Sequence, residues 1–404
     1  MKPDIPLLFI TRTIRMFGYG FLSVVLALYL AQRGLSEGEI GLLLTLTLAG
    51  DAGITLWITT SADRLGRRRM LVIGAALMIL AGVIFSLTGN YILLVITAII
   101  GVISPSGNEI GPFLSIEQAS LSQLLADERR TQTFAWYNLL GSFATATGAL
   151  VGGGLAQLLQ AAGYSPLNSY RAVVLGYTLI GIILSILFLR VSQAVEAPRA
   201  VEAVPIQRSF GLHRSRRTVF KLSSFFAIDA FAGGLVVQSM VAYWFNIKFG
   251  VQPAILGSIF FGANILAGIS ALSAVWIAKR IGLINTMVFT HIPSNILLIL
   301  VPFMPTLPLA ITILLLRFSI SQMDVPTRQS YTMAVVSPDE RSAAMGVTSI
   351  ARSVGATLSP AITGQLLALP GLIGAPFILA GGLKIIYDLL VWSGFRAVKP
   401  PEET

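Results

Sequence analysis

The chain has 404 residues, of which 55% are hydrophobic and 11% charged, and its mean hydropathy is +0.80. These values exclude a water-soluble domain, because charged residues normally make up about a quarter of a globular chain and so apolar a surface would aggregate. The sequence has no Cys and two His, which excludes disulfides, thiolate metal sites and cysteine nucleophiles. We therefore expect no metal, no cofactor and no enzymatic activity.

Twelve stretches of the chain are long and apolar enough to cross a bilayer, since a helix needs roughly 20 mostly apolar residues to span the hydrocarbon. The first stretch is too long for a cleaved signal peptide and lacks a cleavage site, so we expect a true helix there. The sequence predicts an all-α integral membrane protein. The predicted spans are 6–32, 38–61, 70–89, 91–122, 131–160, 170–192, 219–247, 252–278, 283–303, 306–336, 342–368 and 372–395.

Basic residues are concentrated on one side of the predicted topology. If both termini are cytoplasmic, 19 Lys and Arg fall in cytoplasmic segments, three on the opposite side and six within spans. Because Lys and Arg concentrate on the untranslocated side, the ratio predicts cytoplasmic termini in a plasma (inner) membrane. The formal charge of +10 is then a property of topology, and we expect no nucleic-acid partner.

The longest predicted connection, 193–218, divides the spans into six and six and carries the basic string His213 to Arg217. It predicts an N-terminal bundle over 1–192, a cytoplasmic linker over 193–218 and a C-terminal bundle over 219–404. The two halves also match in sequence. The clearest match is Ala62-Asp63-Arg64-Leu65-Gly66 with Ala278-Lys279-Arg280-Ile281-Gly282, in the loop after the second span of each half. A parallel repeat of two six-helix halves is an architecture of secondary transporters.

The loop between spans 2 and 3, residues 63–69, reads Asp-Arg-Leu-Gly-Arg-Arg-Arg. It resembles the signature motif of the major facilitator superfamily (MFS), Gly-x-x-x-Asp-Arg-x-Gly-Arg-Arg, with Thr59 at the first Gly. The resemblance implies the MFS fold of twelve transmembrane helices in two pseudo-symmetric six-helix bundles, transport by alternating access, and a monomer. It also implies a cytoplasmic gating motif formed by Asp63, Arg64, Gly66 and Arg67.

The gating role implied for Asp63 requires a positive partner. Residues 337–340, Ser-Pro-Asp-Glu, have the pattern of a capping box with Pro at the first helical position. The positive N-terminal end of span 11 is therefore the expected dock for Asp63. The other interpretation of this loop is a plain positive-inside turn.

Span 5 ends in a glycine-rich segment, Gly148 to Gly154, which is similar to the antiporter motif of the superfamily but has Ala149 where that motif has Pro. Small residues also let helices approach closely, whatever the direction of transport. Helix packing and an export signal are both compatible with this segment.

Ionisable side chains within the spans are candidate functional residues, because a charge at mid-bilayer costs several kcal/mol unless it faces a cavity or a partner. Eight of the twelve lie in spans 1, 4, 7 and 10, which line the central cavity in the superfamily. The twelve are Arg12, Arg15, Asp51, Glu109, Glu117, Asp229, Arg317, Asp324, Arg328, Arg352, Lys384 and Asp388.

Glu109 in span 4 and Asp324 in span 10 each precede a Pro. Interrupted helices at matching positions of two halves are a sequence indication of a transporter binding site. These two acids are our first candidates for the substrate or proton pathway, and structural kinks with internally paired acids are the alternative.

Other intramembrane charges suggest particular pairs. Arg15 and Asp229 occupy equivalent positions in the two halves, so a salt bridge between them is conceivable. Lys384 and Asp388 lie four residues apart on one helix face, which favours mutual neutralisation. His291 in span 9 is more often a packed helix residue than a ligand. Arg328 shares a helix face with Asp324, whereas Glu117, Asp51 and Arg352 are secondary candidates.

These observations favour a secondary active transporter that moves a small organic solute across the lipid bilayer, coupled to protons, with export slightly preferred over uptake. Acids at mid-depth suit proton coupling, whereas the arginines would suit an anion, so uptake of a small anionic metabolite is the alternative. A membrane receptor that does not transport is the alternative from another class. A primary pump is disfavoured, because no Gly-x-x-x-x-Gly-Lys phosphate loop occurs.

Overall fold

The computed structural model describes residues 4–109, 111–125, 127–196, 212–337 and 340–396, with the side chains of residues 60, 63, 127–132, 135 and 342 excepted. This part of the chain is helical and contains no strand. Its α-helices are α1 Asp4–Ser23, α2 Leu26–Gln32, α3 Glu37–Leu65, α4 Arg67–Leu87, α5 Tyr91–Ile100, α6 Phe113–Leu124, α7 Asp127–Ala161, α8 Pro166–Leu189, α9 Arg216–Gly234, α10 Gln238–Phe249, α11 Pro253–Ile281, α12 Leu283–Leu300, α13 Leu307–Phe318, α14 Asp324–Ala334, α15 Arg341–Thr357, α16 Ser359–Leu367 and α17 Ala375–Phe395.

Eight segments of the described chain are helices long and apolar enough to cross a membrane, and the bent pair α1 and α2 adds a ninth. The predicted spans 4, 10 and 11 consist instead of two shorter helices each: α5 and α6, α13 and α14, and α15 and α16. Large apolar side chains such as Ile92, Leu179, Trp276 and Leu389 are exposed on these helices, as a bilayer solvent requires.

The predicted repeat is visible in the secondary structure of the matching loops. α3 and α11 are both 29 residues long, and each is followed by a single glycine before the next helix begins. Gly66 and Gly282 have φ of 103° and 85°, a backbone conformation that side chains with a Cβ rarely adopt. The two halves therefore turn the chain with the same residue in the same left-handed region.

The same helix pairs pack against each other in each half. α1 packs along α7 and α4 along α8, whereas α9 packs along α15 and α12 along α17. In the N-terminal half these helices belong to spans 1 and 5 and to spans 3 and 6. In the C-terminal half they belong to the equivalent spans, 7 and 11 and then 9 and 12. Equivalent pairing in both halves confirms a duplicated six-span bundle.

Glycines determine how closely α1 approaches α7. A Cβ at Gly148 would lie 2.1 Å from the carbonyl oxygen of Phe17, and one at Gly152 would lie 2.1 Å from that of Phe21. No side chain fits at that separation, so both positions require glycine for backbone contact. Helix packing therefore accounts for these two residues of the glycine-rich segment.

The interruption of spans 4 and 10 predicted from their prolines is confirmed. α5 ends at Ile100 and α6 begins at Phe113, so Pro105 and Glu109 lie in a non-helical segment. In span 10 the helix stops at Phe318 and resumes at Asp324. Pro326 is then in the first turn of α14, where its missing N–H costs no intrahelical hydrogen bond.

Contacts divide the chain into two compact units, residues 1–201 with 237–261, and residues 202–236 with 262–404. Most of the N-terminal half lies in the first unit, which also contains α10 and the first turns of α11. The second unit contains α9 and the helices from α12 to α17. The predicted boundaries at 192 and 219 remain a prediction about the bundles.

Candidate functional site

A buried charge cluster of the first unit is centred on Arg15 of α1. Its Nε donates a hydrogen bond to Oε1 of Glu109 at 2.9 Å. Its Nη1 and Nη2 donate to Oε1 and Oε2 of Glu117 at 2.8 and 2.7 Å. Arg12, one turn earlier, donates Nη1 to Oε2 of Glu109 at 2.6 Å. We call Arg12, Arg15, Glu109 and Glu117 the first cluster; its two cations and two carboxylates are balanced in charge.

The two acids of the first cluster are held differently. Glu117 on α6 is fully buried and also accepts from Thr11 at 3.0 Å and from the Tyr137 hydroxyl. Glu109 is 12% exposed and lies in the non-helical segment, and its partners among the described residues are the two arginines. Glu117 therefore fixes Arg15 in place, whereas Glu109 is the acid that a change in the interrupted segment would move.

Asp229 on α9 is the centre of a buried cluster in the second unit. It accepts from Lys384 Nζ at 2.5 Å, Arg352 Nη1 at 3.0 Å and Arg328 Nη1 at 3.2 Å. Arg328 also donates to Asp324 at 2.7 Å, one turn away on α14. We call Asp229, Asp324, Arg328, Arg352 and Lys384 the second cluster, and it joins four helices.

The second cluster has an excess of positive charge, because three cations face two carboxylates. Arg352 is its most accessible member, with a side chain 34% exposed against 10% or less for the others. Arg317 on α13 adds a further guanidinium, whose buried Nε has no hydrogen-bond partner in the described chain. An anionic group would meet unsatisfied donors here.

Asp388 belongs to a separate set of contacts. Its Oδ1 lies 2.8 Å from Nδ1 of His291 on α12, and its Oδ2 accepts from Asn295 at 3.1 Å. The expected neutralisation of Asp388 by Lys384 is wrong, since Lys384 donates to Asp229 instead. The two side chains leave α17 toward different neighbours, α9 and α12, which their shared helix face did not indicate.

Asp51 on α3 has no cationic partner within the described residues, whereas Glu109, Glu117, Asp229 and Asp324 each form a salt bridge with Arg or Lys. Its Oδ1 is buried and has no hydrogen-bond partner there. A carboxylate placed this way is costly in its ionised form. Its chemistry is that of a group that binds a proton or a cation.

The predicted gating motif contributes structural contacts at the α3–α4 turn. Arg67 is buried and donates Nη1 to Oε1 of Gln123 at 3.0 Å and to the Val195 carbonyl at 3.2 Å. Its backbone N–H donates to Glu196 at 2.6 Å. Gly66 makes the turn, Arg64 is exposed, and the side chain of Asp63 lies outside the described residues.

Glu340 binds the backbone immediately before α9 rather than capping its own helix. α15 begins at Arg341, and residues 338–339 of the expected capping box lie outside the described chain. The Glu340 carboxylate accepts the backbone N–H groups of His213, Arg214 and Ser215. Burial raises the pKa of Glu340, but these hydrogen bonds outweigh it and lower the pKa to about 2.

The structure thus brings most predicted site residues into two clusters. Arg15, Glu109 and Glu117 meet in the first, and Asp229, Asp324, Arg328, Arg352 and Lys384 meet in the second. A bond between Arg15 and Asp229 would join the units and stays a prediction. Thr11, Tyr137 and Asn295 also contact these acids and could not be predicted from the sequence, because uncharged polar residues are common in apolar helices and nothing local marks these three.

Buried charges beside interrupted membrane helices at matching positions of two repeats are an arrangement found in multi-pass secondary transporters. A family model described as Major Facilitator Superfamily matches residues 8–323 and 248–404. The chain belongs to this superfamily. It is also 32% identical over 424 residues to an uncharacterized membrane protein of Saccharomyces cerevisiae, YJR124C, with 98% of this chain and 94% of the yeast protein covered.

Solved structures with the same fold are transporters. A D-xylose-proton symporter is 16% identical, with 97% of this chain and 98% of that chain covered and a TM-score of 0.74. The nucleoside transporter NupG is 15% identical, with 97% and 99% covered and a TM-score of 0.71. A bacterial homolog to the human lysosomal transporter Spinster is 17% identical, with 97% and 96% covered and a TM-score of 0.74. At these identities the likeness establishes the fold alone.

Proposed function

We propose that this protein is a proton-coupled transporter that moves a small organic solute by alternating access. The observation that carries proton coupling is the Asp51 carboxyl in a membrane helix, whose Oδ1 is buried and has neither a hydrogen-bond partner nor a cation among the described residues. Such a group is stable when protonated and costly when ionised. A proton taken up on one side of the membrane and released on the other would therefore change the stability of the two access states.

Glu109 and Asp324 belong in this proposal to the substrate pathway. Each accepts from arginine side chains, at 2.6 and 2.9 Å for Glu109 and 2.7 Å for Asp324. A substrate that competes for those arginines would loosen interrupted segments at matching positions of the two halves. This is how binding would be linked to a change of access.

A small anionic solute is the second candidate substrate. The excess cation of the second cluster and the exposure of Arg352 favour it, since a carboxylate or phosphate would complete the charge balance of that cluster. The D-xylose-proton symporter and NupG show that the fold also carries sugars and nucleosides. The screen described below separates these classes.

We take export as the direction of transport, because the glycine-rich segment of span 5 is similar to the antiporter motif. Packing against α1 accounts for two residues of that segment, Gly148 and Gly152. Cytoplasmic termini, location in the plasma (inner) membrane and a monomeric state follow from the basic-residue distribution and the superfamily resemblance.

The experiment starts with thermal melting of the purified protein against panels of organic cations, anions, sugars and drugs at two pH values. A ligand that binds only the folded protein raises the melting temperature. Each hit is then tested for flux in proteoliposomes with and without an imposed pH gradient. We expect flux that accelerates with the gradient, whereas binding without flux would favour a receptor.

Asp51→Asn is the decisive variant. We expect it to transport at the same rate with and without the gradient, because the amide cannot take up the coupling proton. Glu39→Gln is the matched control, since Glu39 lies at the exposed start of the same helix and bonds only Ser36. Undiminished gradient dependence in Asp51→Asn contradicts the assignment.

A further inference from the structure

We infer that His291 and Asp388 form a proton-binding pair that controls the charge next to the second cluster. The inference rests on the proposed function only in taking the second cluster as a substrate site. The pair is not needed to neutralise that cluster, which already has an excess of cations. Its two partners come from different helices, α12 and α17, which pack along each other.

The geometry of the pair defines where a proton binds. Nδ1 of His291 and Oδ1 of Asp388 are 2.8 Å apart, and the two side chains are 4% and 0% exposed. Asn295 donates to the second oxygen of Asp388 at 3.1 Å and so restrains the carboxylate. With Nδ1–H donating to the carboxylate, Nε2 is the free basic atom of the ring.

Uptake of one proton at Nε2 changes the net charge of the pair from −1 to 0. No other covalent bond forms or breaks in this step. The ring is held edge-on against Tyr387, with centroids 6.1 Å apart, so its orientation is fixed while its charge changes. A buried imidazole beside one carboxylate is thus a single-proton switch.

The charge of the pair reaches the second cluster through Lys384. Asp388 and Lys384 lie one turn apart on α17, and Lys384 donates to Asp229 at 2.5 Å. A negative pair attracts the Lys384 ammonium and so weakens its ion pair with Asp229. A neutral pair exerts no such attraction, and the ion pair between Lys384 and Asp229 is then stronger. The charged or titratable side chains on the helices around the pair are Arg216, Arg217, Lys221 and Asp229 on α9, Arg317 on α13, Asp324, Arg328 and Tyr331 on α14, and Lys384 and Tyr387 on α17.

The chain offers an unusually direct test, because it has only two histidines. His213 is exposed and serves as an internal reference. The full-length protein, labelled with 15N at histidine and reconstituted in lipid vesicles, is titrated from about pH 5 to pH 8 by solid-state NMR. His213→Gln assigns the two imidazoles. We expect the His291 signals to change between those of a neutral and a charged imidazole within the range.

Two variants separate a proton switch from a structural contact. Asp388→Asn removes the carboxylate, so we expect the His291 midpoint to move to lower pH by about one unit or more. Lys384→Met removes a neighbouring cation, so we expect the midpoint to move to higher pH, as reciprocal coupling requires. In both variants the His213 midpoint stays unchanged.

A His291 ring that keeps one protonation state throughout the wild-type titration overturns the inference, and this result needs no variant to fold. A titrating His291 that is insensitive to Lys384→Met overturns the link to the second cluster. The titration requires neither substrate nor flux. If the pair titrates but flux does not respond to a pH gradient, only the proposed function is contradicted. If flux responds to the gradient but His291 does not titrate, only this inference is contradicted.

Discussion

The different roles of Glu117, which fixes Arg15, and Glu109, which lies in the interrupted segment, can be tested with one pair of matched substitutions, Glu117→Gln and Glu109→Gln. Glu117→Gln removes the carboxylate that accepts two bonds from Arg15 and one each from Thr11 and Tyr137. The amide keeps one acceptor oxygen but carries no charge, so Arg15 is then left with a single ion pair, to Glu109. Glu109→Gln instead leaves Arg15 its two bonds to Glu117 and deprives Arg12 of its carboxylate.

The burial of the two acids determines the expected magnitudes. Glu117 and Arg15 are both 0% exposed, and breaking a buried ion pair costs about 3–5 kcal/mol because a charge is left uncompensated. Glu109 is 12% exposed and Arg12 is 7% exposed, so water compensates part of the loss and we expect about 1–3 kcal/mol.

The assay is thermal melting of both variants in one detergent, at neutral pH and without ligand. With an unfolding entropy of about 2.1 cal/mol/K per residue, a loss of 3 kcal/mol in a chain of 404 residues corresponds to a fall of roughly 3–4 °C for Glu117→Gln, and Glu109→Gln should fall by less. The double variant measures the coupling of the two acids through Arg15. Equal losses, or a larger loss for Glu109→Gln, would refute the division of the cluster into a fixed and a mobile acid.

Three further predictions concern other parts of the chain. Asp229→Asn should destabilise the protein by about 3–5 kcal/mol, because three cations share that carboxylate, and adding Lys384→Met should restore part of the loss in melting experiments; additive losses would contradict a shared cluster. Asp63→Asn should slow flux in proteoliposomes while expression and melting stay near the wild-type values, and a fully active variant would contradict the gating role. The pKa of Glu340 is lowered from 4.5 to about 2, so its contribution to stability is fully present above pH 4.5 and is lost as the pH falls toward 2. The melting temperatures of wild type and Glu340→Gln should therefore converge on acidification, and a constant difference would show that this carboxylate does not titrate as its hydrogen bonds require.

Local properties of the sequence were enough to determine the class of protein. Apolar length, basic-residue distribution and the loop match around Gly66 and Gly282 predicted a duplicated helical membrane protein, and the prolines of spans 4 and 10 predicted where helices break. Hydropathy and backbone preference depend on residues close together in the chain, so a sequence displays them directly. The cost of a buried charge likewise identified the residues of both clusters in advance.

Only the tertiary structure decided which charged groups pair. Arg15 bonds carboxylates about a hundred residues away, Lys384 bonds Asp229 rather than Asp388 on its own helix, and Asp51 has no cation in the described chain. Spacing along a helix states which side chains share a face but not which neighbouring helix that face meets. Ion pairing depends on the rotation and separation of helices distant in sequence, and those are set by the packing of the whole bundle.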